Sequence, residues 1–363
     1  MQLWNTFSKE ELVDQLRKKG HRFVTVSFYQ YAKIPNPQVF RDHLFQMWSN
    51  LEVVGRTYVA TEGINAQIAI PVEKLDQFRI DLDQIDFLNG IRLNYAVDDA
   101  EAEFPFLKLK IKVRNKILAD GLDDQTFDVT NKGIHLNADE FNKLTDDPST
   151  ILIDFRNHYE WEVGHFSSAI LPDVDTFRDS LPLIENEYLK GNEDKNVVMY
   201  CTGGIRCEKA SAWFKHRGFK NVHQLEGGII KYANDCKEQG LDNKFIGKNF
   251  VFDERRGERI SDDIIAVCHQ CGVPADDHTN CINDACHLLF IQCASCKEKM
   301  ENCCSDDCLT TIHLPEEEQK LLRKGKEASN KIFKKGRSEN LKFKAHKEKP
   351  LSLVDNLKGE QRD

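Results

Sequence analysis

The residues best suited to chemistry lie in the run VVMYCTGGIRCEKASAWF. An apolar strand, Val197 to Tyr200, leads into Cys201 and a loop with two glycines, which let successive N–H groups converge on one point. A helix is predicted from about Ile205, and its N-terminus adds positive potential. Arg206 closes the loop with a permanent positive charge. An anionic sulfur at Cys201 would be stabilised there, so we expect a thiol with a low pKa.

The length of the loop narrows the chemistry. Cysteine-dependent phosphatases have one more residue between the cysteine and the arginine, which makes a cradle wide enough for a tetrahedral oxyanion. A shorter loop suits one extra atom, such as the outer sulfur of a persulfide. The intervening residues here are Thr202, Gly203, Gly204 and Ile205. A buried structural cysteine is the alternative interpretation of Cys201, but the combination of strand, glycines, arginine and helix favours an active site.

The elements around this loop predict a parallel α/β domain over residues 135–240. Strand-like and helical segments alternate, so the loop would lie at the carboxyl end of a parallel strand. The segment resembles the rhodanese domain, which implies that Cys201 carries persulfide sulfur and that the loop from Thr202 to Arg206 stabilises it. LEGGIIKY resembles the closing Gly-Gly element of that domain. The residues that match the rhodanese signature are Asp154, Arg156, Glu160, Gly164 and His165. We interpret Asp154, Arg156 and His165 as scaffold.

Residues 1–120 predict a ferredoxin-like α+β domain with the order β-α-β-β-α-β. Its last strand, in LKLKIKVRNK, has apolar residues on one face and a ladder of like charges on the other. The exposed face of such a sheet is a common RNA platform, and Arg56 and Tyr58 could join it for phosphate contact and base stacking. A solvated strand protected against edge aggregation is the alternative. The candidate RNA-binding residues are Lys108, Lys110, Lys112 and Arg114.

Nine of the 12 cysteines lie in the 41 residues from Cys268 to Cys308, within a small domain predicted for residues 241–312. In a reducing compartment this density favours metal ligation, and four cysteine pairs predict two structural zinc ions. Spacing leaves sequential and interleaved pairing open, and an iron–sulfur cluster is the second option. One of the adjacent residues Cys303 and Cys304 is surplus to the four pairs. His269, His278 or His287 could replace a cysteine as a ligand. The candidate ligands are Cys268, Cys271, Cys281, Cys286, Cys293, Cys296, Cys303, Cys304 and Cys308.

The charge and the chain start limit the class of protein. The net charge of −9 conceals a basic segment, because Gln319 to Lys349 holds twelve Lys and Arg against three Glu. Residues 313–363 are therefore predicted to form a flexible basic tail, an arrangement frequent in nucleic-acid-binding proteins. No stretch reaches the ~18 apolar residues of a membrane span, and the start MQLWNTFSKEELVD lacks a secretory pattern. We expect a cytoplasmic protein that does not bind membranes.

Taken together, residues 20–312 resemble the tRNA uridine(34) hydroxylase family of rhodanese-like proteins. The shared motifs are ATEGINA (60–66), CTGGIRCEKASAWF, LEGGI, KNFVFDERRGERIS (248–261) and the array from CHQC to CCSDDC. The family typically reads EGING where this chain has Ala66, a small substitution that bears on the tightness of that turn and on little else. The resemblance implies an acylphosphatase-like N-terminal domain and an essential Cys201.

The same resemblance implies a reaction. It is the oxygen-dependent conversion of the wobble uridine of tRNA to 5-hydroxyuridine, with molecular oxygen as co-substrate and an unidentified electron donor. We find no dinucleotide fingerprint that would indicate a nucleotide cofactor. A sulfur adduct of Cys201 on the uridine ring is one hypothesis for the mechanism. The alternatives are a sulfurtransferase that passes persulfide sulfur to tRNA or a protein, and a non-catalytic zinc and RNA-binding module.

Overall fold

The computed structural model describes residues 7–97, 103–123, 125–324, 337–339 and 341–343. The N-terminal part forms one five-stranded sheet with the order β4-β1-β3-β2-β5. Its helices are α1 (Lys9–Lys19), α2 (Pro37–Asn50) and α3 (Leu75–Asp83), with 3₁₀ turns at Val72–Lys74 and Asp86–Leu88. Its strands are β1 (Phe23–Tyr31), β2 (Val54–Ala60), β3 (Gly63–Pro71), β4 (Asn94–Tyr95) and β5 (Leu109–Val113).

Helices α2 and α3 cover one face of this sheet and form the core with it, whereas Leu16 of α1 packs on part of the other face, against Val54 and Ala69. Trp48 of α2 and Phe78 of α3 pack on Phe28 of β1 and Ile64 of β3, and all four are buried. The residues between these core positions, such as Tyr29, point to the opposite face, because side chains alternate along a strand. The part of the opposite face that α1 leaves uncovered is therefore available to another part of the chain.

The structure confirms the ferredoxin-like fold class but corrects the place of the basic strand. The short β4 completes the β-α-β-β-α-β order by pairing with β1. The basic segment is an additional strand, β5, at the opposite edge, where it runs parallel to β2. Alternation of residue types predicts a strand but not the edge to which it adds.

The expectation that Ala66 forms part of the turn is corrected. Ala66 lies inside β3, fully buried, and pairs with Phe28 and Thr57 on the two neighbouring strands. The turn precedes it, and Gly63 is the residue that requires glycine. Its φ is 148°, and a Cβ there would lie 2.1 Å from the carbonyl oxygen of Gln30.

The central part forms a four-stranded parallel sheet with the order β6-β10-β9-β7, as predicted for a rhodanese-like domain. Strand β9 lies inside this sheet, and Val197 to Tyr200 are fully buried. Its helices are α4 (Ala138–Thr145), α5 (His158–Trp161), α6 (Phe177–Ile184), α7 (Ile205–His216) and α8 (Gly228–Gln239), with a π-helical turn at Glu185–Leu189. Its strands are β6 (Ile134–Leu136), β7 (Ile151–Asp154), β8 (Gly164–Phe166), β9 (Asn196–Tyr200) and β10 (Asn221–Leu225).

The C-terminal part is joined to the central one through a small sheet in which β11 pairs with β8 and β12. The predicted basic tail, 313–363, lies mostly outside the described residues, although α11 falls within it and Leu341 is buried against the cysteine-rich segment. No helix in the described parts of the chain is long and apolar enough to cross a membrane. The elements are β11 (Phe245–Asn249), β12 (Glu258–Arg259), β13 (His278–Asn280), β14 (Leu289–Ile291), α9 (Ala294–Lys299), α10 (Asp306–Ile312) and α11 (Glu316–Arg323).

Candidate active site and metal centres

Cys201 directly follows β9 and lies at the N-terminus of α7. The backbone N–H of Gly204 donates to the Cys201 Sγ atom at 3.2 Å. Gly204 caps the helix in a left-handed conformation with φ of 102°, and a Cβ there would lie 2.9 Å from the Tyr29 hydroxyl. Glycine therefore allows both the tight turn and the close approach of the N-terminal domain.

The surroundings of Cys201 stabilise a thiolate. Burial raises its pKa, but hydrogen bonding by the Cys207 thiol, the charge of Arg206 and the N–H groups of Cys207 and Gly204 outweigh burial and lower the pKa to about 6. Burial and the adjacent Cys201 sulfur raise the pKa of Cys207 well above its usual value. At neutral pH Cys201 is therefore mainly a thiolate and Cys207 a thiol that donates to it.

Arg206 is held by the carboxylate of Glu160, a residue whose role the sequence motif alone does not predict. Its guanidinium donates from Nη1 and Nη2 to the two carboxylate oxygens of Glu160, both at 2.7 Å. Nη2 also donates to Thr202 Oγ1 at 3.3 Å. Burial raises the pKa of Glu160, but Arg206 outweighs it and the net shift is downward. Glu160 thus fixes Arg206 beside Cys201, and Arg206 acts on the sulfur through its charge.

The Gly-Gly element, Gly227 and Gly228, and the start of α8 also hold the loop in place. The N–H of Ile229 donates to the carbonyl of Cys201 at 3.0 Å, and that of Ile230 to Thr202 at 3.2 Å. A Cβ on Gly228 would lie 2.5 Å from the Cys201 carbonyl oxygen, so only glycine permits this contact. From the N-terminal domain, Asn94 Nδ2 donates to the carbonyl of Gly203 at 3.3 Å. Two separate elements therefore fix the loop.

Asp154 and Arg156 form a fully buried ion pair beneath the site, with 2.6 Å between Arg156 Nη2 and Asp154 Oδ2. Arg156 also donates to the carbonyl of Gly164 at 2.6 Å and so ties β7 to β8. His165 Nδ1 lies 3.1 Å from the carbonyl of Phe166, and burial lowers the pKa of His165. The Arg156 contacts connect elements of the scaffold, whereas the His165 contact stays within β8.

Cys201 opens onto a cavity of about 420 Å³ that all three parts of the chain enclose. This Cys201 cavity has the size of a typical small-ligand site. The face of the N-terminal sheet opposite its core forms one wall, and the C-terminal part forms another. The principal lining residues are Tyr29, Arg56, Tyr58, Arg206, Phe252 and Arg255.

The candidate RNA-binding residues lie on the same face of the N-terminal sheet that lines the cavity. In the parallel pairing of β2 with β5, Arg56 is opposite Lys110 and Tyr58 is opposite Lys112. The Arg114 guanidinium lies 5.8 Å from the centre of the Tyr58 ring. The positive charge of Lys112 is the largest cause that lowers the pKa of Lys110. Partial burial and the charges of Lys108 and Arg56 lower it further. We call Arg56, Lys108, Lys110, Lys112 and Arg114 the basic face.

The cysteine-rich segment contains two groups of four cysteines, and within each group all Sγ atoms lie within 4.8 Å of one another. Sγ–Sγ distances of 3.6 Å occur in both groups. A tetrahedral Zn–S₄ site would require about 3.8 Å, so either group could hold a metal ion. The pairing is interleaved. The groups are Cys268, Cys271, Cys293 and Cys296, and Cys281, Cys286, Cys304 and Cys308.

Cys303 lies outside both groups, so its inclusion among the candidate ligands is corrected. It is buried in the core beneath the second group, and its carbonyl accepts a hydrogen bond from Gln270. Neither group requires a histidine. His269 lies 2.8 Å from Glu162, and His278 packs against Phe250.

The sequence of the chain resembles known proteins over most of its length. The UPF0176 acylphosphatase like domain matches residues 23–117, the rhodanese-like domain matches 137–235, and the rhodanase C-terminal description matches 246–309. A tRNA uridine(34) hydroxylase of Photorhabdus laumondii is 53% identical over 336 residues, which cover 92% of this chain and 95% of that protein. The chain belongs to the tRNA uridine(34) hydroxylase family. Relatives with that name from Salmonella schwarzengrund and Yersinia pestis are both 54% identical over 92% of this chain, covering 95% and 94% of those proteins.

Membership of the family does not by itself reveal which residues outside the loop matter. Glu160 and Asn94 act on the loop from segments distant in the sequence, and only the fold brings them to it. Glu258 lines the cavity from the motif KNFVFDERRGERIS, in which the sequence alone predicts no site residue. Glu258 stands in the charged run DERRGER, so its residue type gives no local signal that distinguishes it from its neighbours.

Proposed function

We propose that this protein hydroxylates the wobble uridine of tRNA to 5-hydroxyuridine, with molecular oxygen as co-substrate and Cys201 as the nucleophile. Relatives that share over half of their residues with this chain carry the name of that activity. The structural observation that supports it most is the Cys201 cavity. There a buried thiolate faces a sheet that carries the basic face.

The basic face gives the proposal its substrate class. Positive charges attract the phosphates of an anticodon stem-loop, and the wobble base lies in a single-stranded loop from which it can be turned outward. Tyr58 lines the cavity beside Arg56 and offers a ring on which a base can stack. A base entering the cavity would thereby reach Cys201 while its flanking phosphates stay on the basic face.

The chemistry starts from the thiolate. Cys201 would add to C6 of the uracil ring, which makes C5 electron-rich and ready to react with an oxygen species. The Gly204 N–H and the charge of Arg206 keep the sulfur anionic before it attacks. Incorporation of one oxygen atom from O₂ also requires two electrons, for which we propose a separate donor.

The two cysteine groups fit structural zinc, because four thiolates at these separations match its tetrahedral geometry. Bound zinc would hold the C-terminal part together. That part supplies Phe252 and Arg255 to the cavity wall. Reduced cysteines and a tRNA substrate are consistent with a cytoplasmic location.

Nucleoside mass spectrometry of tRNA from cells that lack the protein tests this function. Wild type should restore 5-hydroxyuridine at the wobble position, and Cys201→Ser should not. Cys236→Ser is the matched control. Cys236 is a buried cysteine in α8 that does not line the Cys201 cavity. Restoration by Cys201→Ser would refute the role of the thiolate. A 2-thiouridine product in place of 5-hydroxyuridine would instead identify a sulfurtransferase.

A further inference from the structure

Glu258 begins β12 and lines the same cavity as Cys201. Its side chain is fully buried, and its Oε1 atom accepts from the Val97 N–H at 3.2 Å and from Arg255 Nη1 at 2.7 Å. Its Oε2 atom is buried without a hydrogen-bond partner among the residues that the structure describes. Leaving a buried carboxyl oxygen unpaired is costly, so its partner is expected to arrive with the substrate.

The charges around Glu258 favour a proton on this free oxygen. Arg255 is shared, because its Nε and Nη2 atoms also donate to the two oxygens of Asp253 at 2.9 and 2.6 Å. Across the sheet, Asn249 of β11 is uncharged, and Val97 approaches with a backbone N–H. Burial and the Asp253 charge raise the pKa of Glu258, Arg255 opposes them, and the result is about 7. Because Oε1 already accepts two hydrogen bonds, the proton belongs on Oε2.

We propose that Glu258 is a further catalytic residue, whose protonated Oε2 donates to the 4-carbonyl oxygen of the uracil ring. The inference rests on the proposed function and on the presence of Glu258 and Cys201 in one cavity. It assigns a specific task to an acid that the cysteine chemistry does not otherwise use.

The step is balanced without an added redox partner. As the bond between Cys201 Sγ and C6 forms, the electron pair of the C5–C6 double bond moves through C4 onto O4. The Glu258 proton moves to O4, which leaves a neutral enol on the ring and a carboxylate on Glu258. When C5 bonds oxygen, the C4 carbonyl re-forms and the O4 proton returns to Glu258. H5 then leaves to solvent as a proton, and its electron pair restores the C5–C6 double bond as the Cys201 thiolate departs. Cytosine carries an amino group in place of O4, so the same acid favours uridine over cytidine.

The pH dependence of kcat/KM on an anticodon stem-loop RNA tests the inference. Wild type should give a bell, rising as Cys201 ionises near its pKa of about 6 and falling as Glu258 loses its proton near about 7. Glu258→Gln keeps both hydrogen bonds to Oε1 and places an N–H donor at Oε2, so it should lose only the falling limb. Glu258→Ala removes the donor and should lower kcat by about 100-fold. Glu254→Gln, a surface residue of the same loop that pairs with Lys9, is the matched control and should keep the bell.

The outcomes separate the inference from the function beneath it. Wild type that forms no 5-hydroxyuridine would refute the proposed function. Active wild type combined with an unchanged falling limb in Glu258→Gln, or with a folded Glu258→Gln as impaired as Glu258→Ala, would overturn the inference. A binding measurement covers the case in which these variants fail to fold. In Cys201→Ser, the preference for a wobble uridine over a cytidine should decline between about pH 6 and about pH 8, and a constant preference would also overturn it.

Discussion

The basic face makes a quantitative prediction about RNA binding. Replacing three of its residues, Lys108, Lys110 and Lys112, with Gln removes three charges that would contact phosphate. Single-stranded and double-stranded nucleic acids release about 0.7 to 0.9 counterions per phosphate contact, so the slope of log K against log salt should fall by about 2 to 3. Between about 50 and about 200 mM salt, wild type should therefore lose about 20- to 40-fold more affinity than the triple variant.

The fold should tolerate this change. Mutual repulsion lowers the pKa of Lys110, so the ladder opposes folding, and neutral residues relieve that repulsion. The melting temperature of the triple variant should consequently equal or exceed that of wild type. A loss of RNA binding with an unchanged melting temperature would then report on the surface itself.

Fluorescence anisotropy with a labelled anticodon stem-loop measures the slopes. The matched control replaces three other exposed lysines, Lys18, Lys220 and Lys237, which do not line the cavity. This control changes the net charge equally and should change the slope by less than the basic-face variant. Equal slopes for the two triple variants would refute the basic face as the RNA site and return β5 to a solvated edge strand.

Three further predictions concern the thiolate and the metals. Alkylation of Cys201 by iodoacetamide should rise through about pH 6, and Arg206→Gln should move that midpoint upward, because the arginine charge lowers the pKa; an unchanged midpoint would contradict this. Glu160→Gln leaves Arg206 buried without its carboxylate and should reduce the free energy of unfolding, measured in urea, by about 3 to 5 kcal/mol; a loss below about 1 kcal/mol would show the pair to be dispensable. Elemental analysis should find two zinc ions per chain in wild type and in Cys303→Ser but fewer in Cys304→Ser. Loss of zinc from Cys303→Ser, or a coloured iron–sulfur protein, would contradict the assignment.

The sequence predicted the loop well because its parts are adjacent in the chain. Cys201, the glycines and Arg206 lie within six residues, so strand, turn and helix patterns suffice to bring them together. Glu160 could not be assigned to Arg206 in this way. Its bidentate contact spans 46 residues and depends on how α5 packs beneath α7, which local patterns do not encode.

The fold class was predictable and the strand edges were not. Alternation identifies β5 as a strand, yet hydrogen bonding to β2 or to β1 is equally compatible with its residue pattern.

The cysteine spacing likewise predicted the ligand pairs but not how the pairs combine. It predicted four pairs but left the partners of Cys268 and Cys271 open, because both sequential and interleaved pairings satisfy tetrahedral ligation.

The interleaved pairing would make metal ions held by the two cysteine groups depend on each other. Cys281 and Cys286 lie inside the loop that the first group closes between Cys271 and Cys293. Release of one ion would open a loop that holds ligands of the other, so the two ions should leave together. Because this segment adjoins the wall that contains Phe252, cells short of zinc would lose wobble hydroxylation in a single step rather than by degrees.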